Sequence, residues 1–247
     1  MTTLTPARLE LSLVFPACDE AGNLEALLDR ALAIAASLTR DFEIVVVDDG
    51  SRDGSAEIVR KRALTHPSIR LIRHAENRGY GAALRAGLRE ARGELVFFSD
   101  ADLQFDLAEI SLLLDHARNF DVVAGYREPR RDPWPRRVLA FGWGTIVRLL
   151  FDLPIRDIDC AFKVFRRHVL EAVPLASLGA FVNTELLVRA RSAGFRIHQV
   201  PVTHRPRRHG RQSGARPRVI LRALMELATL YRELRRPADR ALLREPE

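Results

Sequence analysis

Apolar residues in the first half of the chain form short continuous runs. These alternate with longer stretches in which apolar residues recur every three or four positions. Short continuous runs are typical of buried strands, and longer periodic stretches are typical of helices. The pattern predicts strands at residues 11–15, 42–47, 69–73, 95–98 and 121–124, and helices at residues 20–38, 53–64, 79–91 and 107–118. This alternation indicates an α/β fold with a doubly wound, mostly parallel sheet and helices on both faces.

The alternation becomes irregular after residue 126. The remaining segments are an Arg- and Pro-rich loop at 126–137, a mostly apolar helix at 138–153, a strand at 159–165, a helix at 184–193, a strand at 195–201, a basic loop at 204–218 and an amphipathic helix at 219–234. A chain of this length is sufficient for one domain with a full core. We predict a single domain at 1–236, with halves at 10–126 and 127–218, a C-terminal helix at 219–236 and a tail at 237–247.

Basic residues outnumber acidic ones, and almost all of them are arginine. The formal net charge is +7 over 247 residues, and of the 39 basic residues only Lys61 and Lys163 are lysine. Arginine forms paired hydrogen bonds to phosphate, which favours a phosphorylated ligand. An arginine-rich proteome explains the same composition, so the charge alone does not choose between the two explanations.

Several features of the sequence bear on where the protein works. Cys18 and Cys160 are the only cysteines, which argues against a disulfide framework or a zinc site and for a reducing compartment. The first residues lack the apolar core of a signal peptide. No run reaches the ~20 apolar residues of a membrane span, and the nearest, at 138–155, is interrupted by Arg148 and Asp152. We expect a cytoplasmic protein, soluble or peripheral at the cytoplasmic membrane face.

Two of the predicted strands end in paired carboxylates. Asp48 and Asp49 close one strand, and Asp100 and Asp102 close another about fifty residues later. Ligands of open α/β sheets bind at the carboxyl ends of the strands, so we expect one acidic mouth there. Carboxylates suit Mg²⁺ or Mn²⁺, and through the cation a diphosphate, and Gln104 adds a carbonyl oxygen. An Asp-x-Asp pair alone is common and also caps helices, but the second acidic strand end favours the metal site.

Other polar residues near these strand ends have two interpretations each. The Asp48-Asp49-Gly50-Ser51 run is either a plain turn or a carboxylate site for a base or ribose. Glu20 either contacts the nucleotide or caps the following helix. The glycines of Asn77-Arg78-Gly79-Tyr80-Gly81 either let the backbone approach a ligand or simply form a tight loop.

Five motifs occur in an order that is similar to one enzyme family. They are Pro16-Ala-Cys-Asp19-Glu20, Val47-Asp-Asp-Gly-Ser51, Asn77-Arg-Gly79, Asp100-Ala-Asp-Leu-Gln104 and Asp157-Ile-Asp-Cys-Ala-Phe-Lys163. As a set they resemble the family 2 glycosyltransferases of GT-A fold, and within that family the polyprenyl-phosphate and dolichol-phosphate sugar synthases. The resemblance covers roughly residues 10–215.

The resemblance implies a role for individual residues. The implied metal ligands are Asp100, Asp102 and Gln104, and the implied nucleotide-binding residues are Pro16, Glu20, Asp48, Asp49, Arg78 and Asp100. The implied catalytic residues are Asp102, Asp157 and Arg127, and the implied phosphate- or acceptor-binding residues are Arg127, Arg137, Arg205, Arg207 and Arg208. Glu185 matches a family acid with a supporting role.

By the same resemblance we expect a metal-dependent inverting glycosyltransferase with Mg²⁺ or Mn²⁺ as cofactor. Its donor is expected to be GDP-mannose or a UDP-hexose, and its acceptor a polyprenyl phosphate such as dolichyl or undecaprenyl phosphate. A separate membrane-protein partner is a further expectation. Cys18, Asp19, Ala161 and Lys163 depart from the family pattern, which leaves the base and the details of acceptor binding open.

Three alternatives remain at this point. The acceptor is a soluble molecule or a glycan, the enzyme is a nucleotidyltransferase that uses the same acidic edge, or the protein is a nucleic-acid-binding module. The last is disfavoured because acidic strand ends do not help DNA binding and the basic loop at 204–218 has no interleaved aromatic residues. The helix at 138–153 either rests at a bilayer interface or belongs to an ordinary core.

Overall fold

The computed structural model describes residues 9–129, 134–207 and 217–235. The strands are β1 (Leu11–Ala17), β2 (Phe42–Asp49), β3 (Ile69–His74), β4 (Leu95–Ser99), β5 (Val122–Arg127), β6 (Phe162–Arg166) and β7 (Ile197–Val202). The helices are α1 (Ala21–Leu38), α2 (Ser55–Thr65), α3 (Tyr80–Glu90), α4 (Ile110–Ala117), α5 (Trp134–Phe151), α6 (Arg167–Ala172), α7 (Val182–Ser192) and α8 (Pro217–Leu234). A 3₁₀ turn, Leu107–Glu109, leads into α4.

All seven strands form one sheet in the order β3-β2-β1-β4-β6-β5-β7. Only β6 runs antiparallel to its two neighbours, β4 and β5, whereas the other pairs are parallel. The predicted α/β fold with a mostly parallel, doubly wound sheet is therefore confirmed. The chain moves outward from β1 to β3 and then returns to place β4 on the other side of β1. This reversal leaves a crevice at the carboxyl ends of β1 and β4.

The central strands are buried on both faces because helices cover the two sides of the sheet. Every residue of β1 is buried, and in β2 only Phe42 is partly exposed. The continuous apolar runs in the sequence follow from this burial, since a strand covered on both sides needs apolar residues at consecutive positions.

Element boundaries differ from the prediction in ways that matter for the site. β2 continues to Asp49, so Asp48 and Asp49 are strand residues rather than members of the turn that follows. α2 begins two residues later than predicted, and the Asp53 carboxylate accepts hydrogen bonds from Ser55 N and from Ala21 N, at the start of α1.

The second half of the chain shows larger differences. The predicted strand at 159–165 is shorter, because β6 spans only Phe162–Arg166 and the residues before it form a turn. α6 was not predicted. The predicted domain limits 1–236 and the tail at 237–247 remain predictions, and the tail lies outside the described residues.

Two helices carry an exposed apolar surface. Among the described residues, eleven of the fourteen exposed large apolar side chains belong to α5 or α8, including Trp134, Phe141, Leu149 and Met225. α5 packs inward through the fully buried Val147, so it is only partly a core helix. Within the described ranges, none of the helices is long and apolar enough to traverse a bilayer.

Candidate functional site

The carboxyl ends of three adjacent strands form the candidate site. β1 lies between β2 and β4 and runs parallel to both. The residues that follow these three strands therefore emerge at one edge of the sheet. This arrangement places Glu20 after β1, Asp48 and Asp49 at the end of β2, and Asp100 and Asp102 just after β4.

The loops after β1 and β2 are tied together by their polar side chains. Asp19 N donates to Ser51 Oγ at 2.9 Å, and Arg52 N donates to Asp19 Oδ1 at 2.9 Å. Glu20 N donates to Ser55 Oγ at 3.0 Å. Asp19 adopts a φ of 54°, a left-handed conformation that Asp and Asn tolerate better than most residues. An aspartate at this position therefore serves the turn as an asparagine would.

Asp48 retains an oxygen that can accept a hydrogen bond from a ligand. Its Oδ1 accepts from Ser51 N at 3.2 Å. Its Oδ2 is buried and lies 3.1 Å from Nε of Arg73, but it makes no well-directed hydrogen bond to any described residue. Since a buried carboxylate oxygen normally has a hydrogen-bond partner, Asp48 suits the predicted contact to a base or ribose.

Asp49 is already occupied by contacts within the protein. Its Oδ1 accepts from His74 Nδ1 at 2.6 Å and from Arg78 N at 3.0 Å, and its Oδ2 accepts from Gly79 N at 2.8 Å. Asp49 therefore shapes the loop at 77–79 rather than presenting free oxygens. Gly79 is needed there because its φ is 100° and a Cβ would lie 2.5 Å from Leu178 O.

Asp100 and Asp102 form the acidic centre predicted after β4. Burial, and then the negative charge of Asp102, raise the pKa of Asp100 from 3.8 to about 7. Asp100 Oδ1 is buried and has no hydrogen-bond partner among the described residues. Leu103 adopts a φ of 59°, which is rare for a bulky residue and typical of a turn held by its surroundings. Two carboxylates are thus kept close together although they repel each other.

These oxygen atoms suit a divalent cation whose remaining coordination positions are filled by a bound ligand. A positive charge would give the buried, unbonded oxygen of Asp100 a partner. It would also reduce the repulsion between the Asp100 and Asp102 carboxylates. Among the described residues, no three His, Cys, Asp or Glu side chains are grouped to hold an ion by themselves. Gln104 uses its Nε2 to donate to Arg205 O at 3.0 Å, so its carbonyl oxygen is the atom suited to the predicted ligand role. Diphosphate oxygens would supply the remaining donors.

Glu20 faces the same mouth and does not cap α1. Its side chain makes no capping hydrogen bond to the helix. Instead its Oε2 accepts from Asn23 Nδ2 at 2.5 Å, and its Oε1 accepts from Arg207. Burial is the main reason that the pKa of Glu20 is raised. The structure thus gives no support to the capping interpretation, and the contact of Glu20 with the nucleotide stays a prediction.

A strap made of residues 203–207 lies along the loop that carries Asp102. Thr203 N and Oγ1 donate to Glu109 at 2.7 and 2.6 Å. Arg205 N donates to Gln104 O at 2.7 Å, and Arg205 Nη2 donates to Asp106 Oδ2 at 2.5 Å. The strap brings one of the predicted phosphate-binding arginines, Arg207, to Glu20 and Asp102 of the acidic mouth, whereas Arg205 pairs with Asp106.

Arg127 and Asp157 form a buried pair. Arg127 Nε donates to Asp157 Oδ2 at 2.6 Å, and Arg127 Nη2 donates to Asp157 Oδ1 at 2.7 Å. Both side chains are 7% exposed. The two-point contact fixes the guanidinium at the end of β5. Asp157 therefore orients Arg127, so the structure brings these two residues together, and their catalytic role stays a prediction.

Lys163 is a buried residue whose role the sequence did not reveal. Its ammonium group is fully buried and donates to Ile158 O at 3.1 Å, to Cys160 O and to Asn183 Oδ1 at 3.1 Å. It thereby holds the turn that presents Asp157. The sequence offered two signals: Lys163 is one of two lysines in an arginine-rich chain, and it departs from the family motif.

Glu185 is structural rather than part of the mouth. It accepts hydrogen bonds from Ala176 N and Ser177 N and from Nε of Arg189. Arg189 in turn donates to Glu233 at 2.8 Å. The group ties α7 to the preceding loop and to α8, in agreement with the supporting role that the resemblance implied.

The other predicted site residues are more loosely related to the mouth. Pro16 is buried in β1 opposite Val47. Arg78 and Arg137 are exposed, the latter on α5. Arg208 and the rest of the predicted basic loop up to residue 216 lie outside the described residues.

Comparison with known proteins identifies the family of the chain. The family model described as glycosyl transferase family 2 matches residues 12–173. The chain is 34% identical over 203 residues to an undecaprenyl-phosphate 4-deoxy-4-formamido-L-arabinose transferase of Aeromonas hydrophila, covering 81% of this chain and 61% of the relative. It is also 34% identical over 221 residues to a dolichyl-phosphate beta-glucosyltransferase of Trichomonas vaginalis, covering 81% of this chain and 67% of the relative. The chain thus spans less than two thirds of the length of the first of these relatives and about two thirds of the second.

Solved structures share the fold at lower identity. A mannosyl-3-phosphoglycerate synthase from Rubrobacter xylanophilus superposes with a TM-score of 0.72 at 20% identity, covering 96% of this chain and 78% of the other. A glucosyl-3-phosphoglycerate synthase from Mycobacterium tuberculosis, in complex with Mn²⁺, UDP and glucosyl-3-phosphoglycerate, gives 0.64 at 21%, covering 92% and 77%. The family match covers well over half of the chain and includes the ends of β1, β2 and β4, so the chain belongs to glycosyl transferase family 2.

Proposed function

We propose that the protein is a metal-dependent, inverting glycosyltransferase that moves a sugar from a nucleotide-diphospho-sugar to a polyprenyl phosphate. The observation that carries the proposal is the pair Asp100 and Asp102 at the end of β4, with the orphaned Oδ1 of Asp100 buried beside a second carboxylate. Two adjacent carboxylates suit a divalent cation, and oxygens of a nucleoside diphosphate would complete the coordination of that cation. The family match supports sugar transfer as the reaction.

The residues around this pair would contact different parts of the nucleotide-sugar donor. Asp48 offers its unsatisfied oxygen to the nucleoside, and the loop at 77–79, shaped by Asp49, borders the same edge. A bound Mg²⁺ or Mn²⁺ would neutralise charge on the leaving diphosphate. Arg127 is held in place by Asp157 before any ligand arrives, which lowers the entropic cost of orienting its charge toward phosphate.

The proposed acceptor suits a site that has many arginines and needs no general base. A phosphate oxygen is already anionic when it attacks the anomeric carbon. The bond from that carbon to the diphosphate breaks, its electron pair leaves with the nucleoside diphosphate, and a single displacement inverts the configuration. Arg207 and its neighbour Arg205, which pair with Glu20 and Asp106 in the structure, would keep two sets of phosphates close together. The names of the two relatives, which act on undecaprenyl and dolichyl phosphate, support this acceptor.

The exposed face of α5 and α8 supports a peripheral position at a membrane. The exposed apolar residues of α5 are accompanied by Arg137, as expected for a helix that lies in the interface of an anionic bilayer. The C-terminal ends of the two helices meet where Phe151 and Tyr231 stack edge to face, 5.9 Å apart. The relatives give no support for a separate membrane-protein partner.

The acceptor is tested by donor screening with lipid extraction. Labelled GDP-mannose, UDP-glucose and UDP-N-acetylglucosamine are each incubated with Mn²⁺ and liposomes that contain undecaprenyl phosphate, and the label in the organic phase is measured. Transfer into the lipid that requires Asp102 supports the proposal. If label passes instead to a soluble phosphorylated acceptor such as 3-phosphoglycerate, which the M. tuberculosis structure names, the lipid acceptor is wrong and sugar transfer stands.

The membrane contact is tested by cosedimentation with anionic liposomes. Phe141→Glu on α5 introduces a charge at a side chain that is 71% exposed, and Leu64→Glu on α2 is the matched control at 86% exposure. We expect Phe141→Glu alone to reduce binding, and salt to weaken the binding of the unaltered protein by screening. Equal binding of both variants would contradict the proposed face.

A further inference from the structure

Arg207 lies between Glu20 and Asp102, and Asp102 is one of the carboxylates that are proposed to hold the cation. It donates a hydrogen bond to Glu20 Oε1, and its Nη1 lies 3.8 Å from Asp102 Oδ2. The Arg207 side chain is only 19% exposed. A positive charge from the C-terminal part of the chain is therefore held between the ends of β1 and β4, where the cation and the diphosphate would meet.

The backbone that carries Arg207 is anchored independently of this contact. Thr203 is bonded to Glu109, His204 pairs with Phe105 in an isolated bridge, and Arg205 is bonded to Gln104. These anchors involve neither Glu20 nor Asp102. The guanidinium can therefore leave the two carboxylates by rotation of its own side chain, while the strap stays on the loop at 102–109.

A free divalent cation and the guanidinium compete for Asp102. Two positive charges within a few ångströms repel each other, and the repulsion is strong where the surroundings are largely buried. A cation that arrives alone must therefore push Arg207 away from Asp102. A cation that arrives with a diphosphate brings anionic oxygens, and these give the displaced guanidinium new hydrogen-bond acceptors at the same place.

We propose that Arg207 is a specificity-determining residue, which makes the site select a cation–diphosphate complex over the free cation. The inference rests on the proposed function, because it assumes that Asp102 binds the cation of a nucleotide-sugar. Arg207 shields the acidic mouth in the absence of the donor, and it turns onto the diphosphate when the donor binds. The metal then enters as part of the substrate complex rather than ahead of it.

The test is calorimetric titration with two probes, Mn²⁺ alone and inorganic pyrophosphate in the presence of Mn²⁺. For Arg207→Met we expect Mn²⁺ alone to bind about tenfold more tightly and Mn²⁺–pyrophosphate to bind about tenfold more weakly, since repulsion is lost in the first case and phosphate contacts in the second. Arg60→Met is the control for net charge, because Arg60 also pairs with a carboxylate, that of Glu57 on α2, and belongs to none of the proposed binding residues. The Asp102→Asn variant gives the heat that is measured when the proposed metal site is lost.

The outcomes separate this inference from the proposed function. Opposite shifts for Arg207→Met, with Mn²⁺ affinity unchanged in Arg60→Met, support the inference even if no sugar transfer is found. If Asp102 is required for Mn²⁺ binding but Arg207→Met binds Mn²⁺ as the unaltered protein does, the metal site stands and the inference is wrong. Equal tightening in both arginine variants shows a general charge effect and also overturns it. If neither the unaltered protein nor any variant binds Mn²⁺, both the inference and the proposed metal site are wrong.

Discussion

Replacing Asp102 with asparagine should abolish sugar transfer and stabilise the metal-free protein at neutral pH. The amide oxygen of asparagine can still accept the hydrogen bond from Gln104 N, 3.1 Å from Oδ1 in the structure, so the turn should be retained. Loss of one anionic ligand should slow transfer at least about a hundredfold, which corresponds to about 3 kcal/mol of transition-state stabilisation.

The expected gain in stability follows from the pKa of Asp100. That pKa is raised from 3.8 to about 7 by burial first and by Asp102 second. A rise of about three units corresponds to about 4 kcal/mol of unfavourable ionisation above pH 7. Because burial is the larger cause, we assign about 1–2 kcal/mol of this ionisation penalty to the charge of Asp102. Removal of that charge would raise the melting temperature by a few degrees in a domain of this size.

The pH dependence of unfolding tests the direction of this stability change. The folded pKa of Asp100 is raised, so the ionisation penalty is absent below about pH 3.8, the unfolded value, and grows until about pH 7. The unaltered protein in EDTA should therefore lose stability as pH rises through this window, and Asp102→Asn should lose less. Thermal unfolding in EDTA at pH 5 and pH 8 measures both effects, with Asp115→Asn on the exposed side of α4 as the charge-matched control. Near-normal transfer by Asp102→Asn, or a lower melting temperature than the control at pH 8, would refute the reasoning.

Further predictions concern the ligand and the buried residues. Binding of GDP or UDP should require Mn²⁺, because the carboxylates at the strand ends repel a bare diphosphate; equal calorimetric affinity in EDTA would contradict this. Asp157→Asn should lower kcat more than it weakens donor binding, since it releases Arg127; kinetics with varied donor would detect the opposite pattern. Lys163→Met should lower the free energy of unfolding by about 2–4 kcal/mol, because the carbonyls of Ile158 and Cys160 lose a buried donor. Denaturant titration should show this loss, and a change within error would mean that Lys163 is not a structural donor.

Long-range contacts give some of the predicted site residues partners that the sequence did not indicate. Asp49 looked like a ligand-binding carboxylate in the sequence, but His74 and Gly79 use its oxygens, and the pairing of β2 with β3 is what brings them there. Lys163 looked like a departure from a family motif, yet it is a buried anchor. In each case the local sequence specified a polar group, and only the packing of other elements decided which partner it met.

The sequence by itself determined the elements and the chemistry of the strand ends. Continuous apolar runs specified strands covered on both faces, and the carboxylates of Asp100 and Asp102 specified a site for positive charge. Tertiary structure decided the rest: the strand order that sets β1 between β2 and β4, the two-point pairing of Arg127 with Asp157, and the approach of Arg207 to Glu20 across 187 positions of the chain. Periodicity and turn propensity act over a few residues, whereas these contacts depend on how whole strands and loops pack, and no local pattern encodes that.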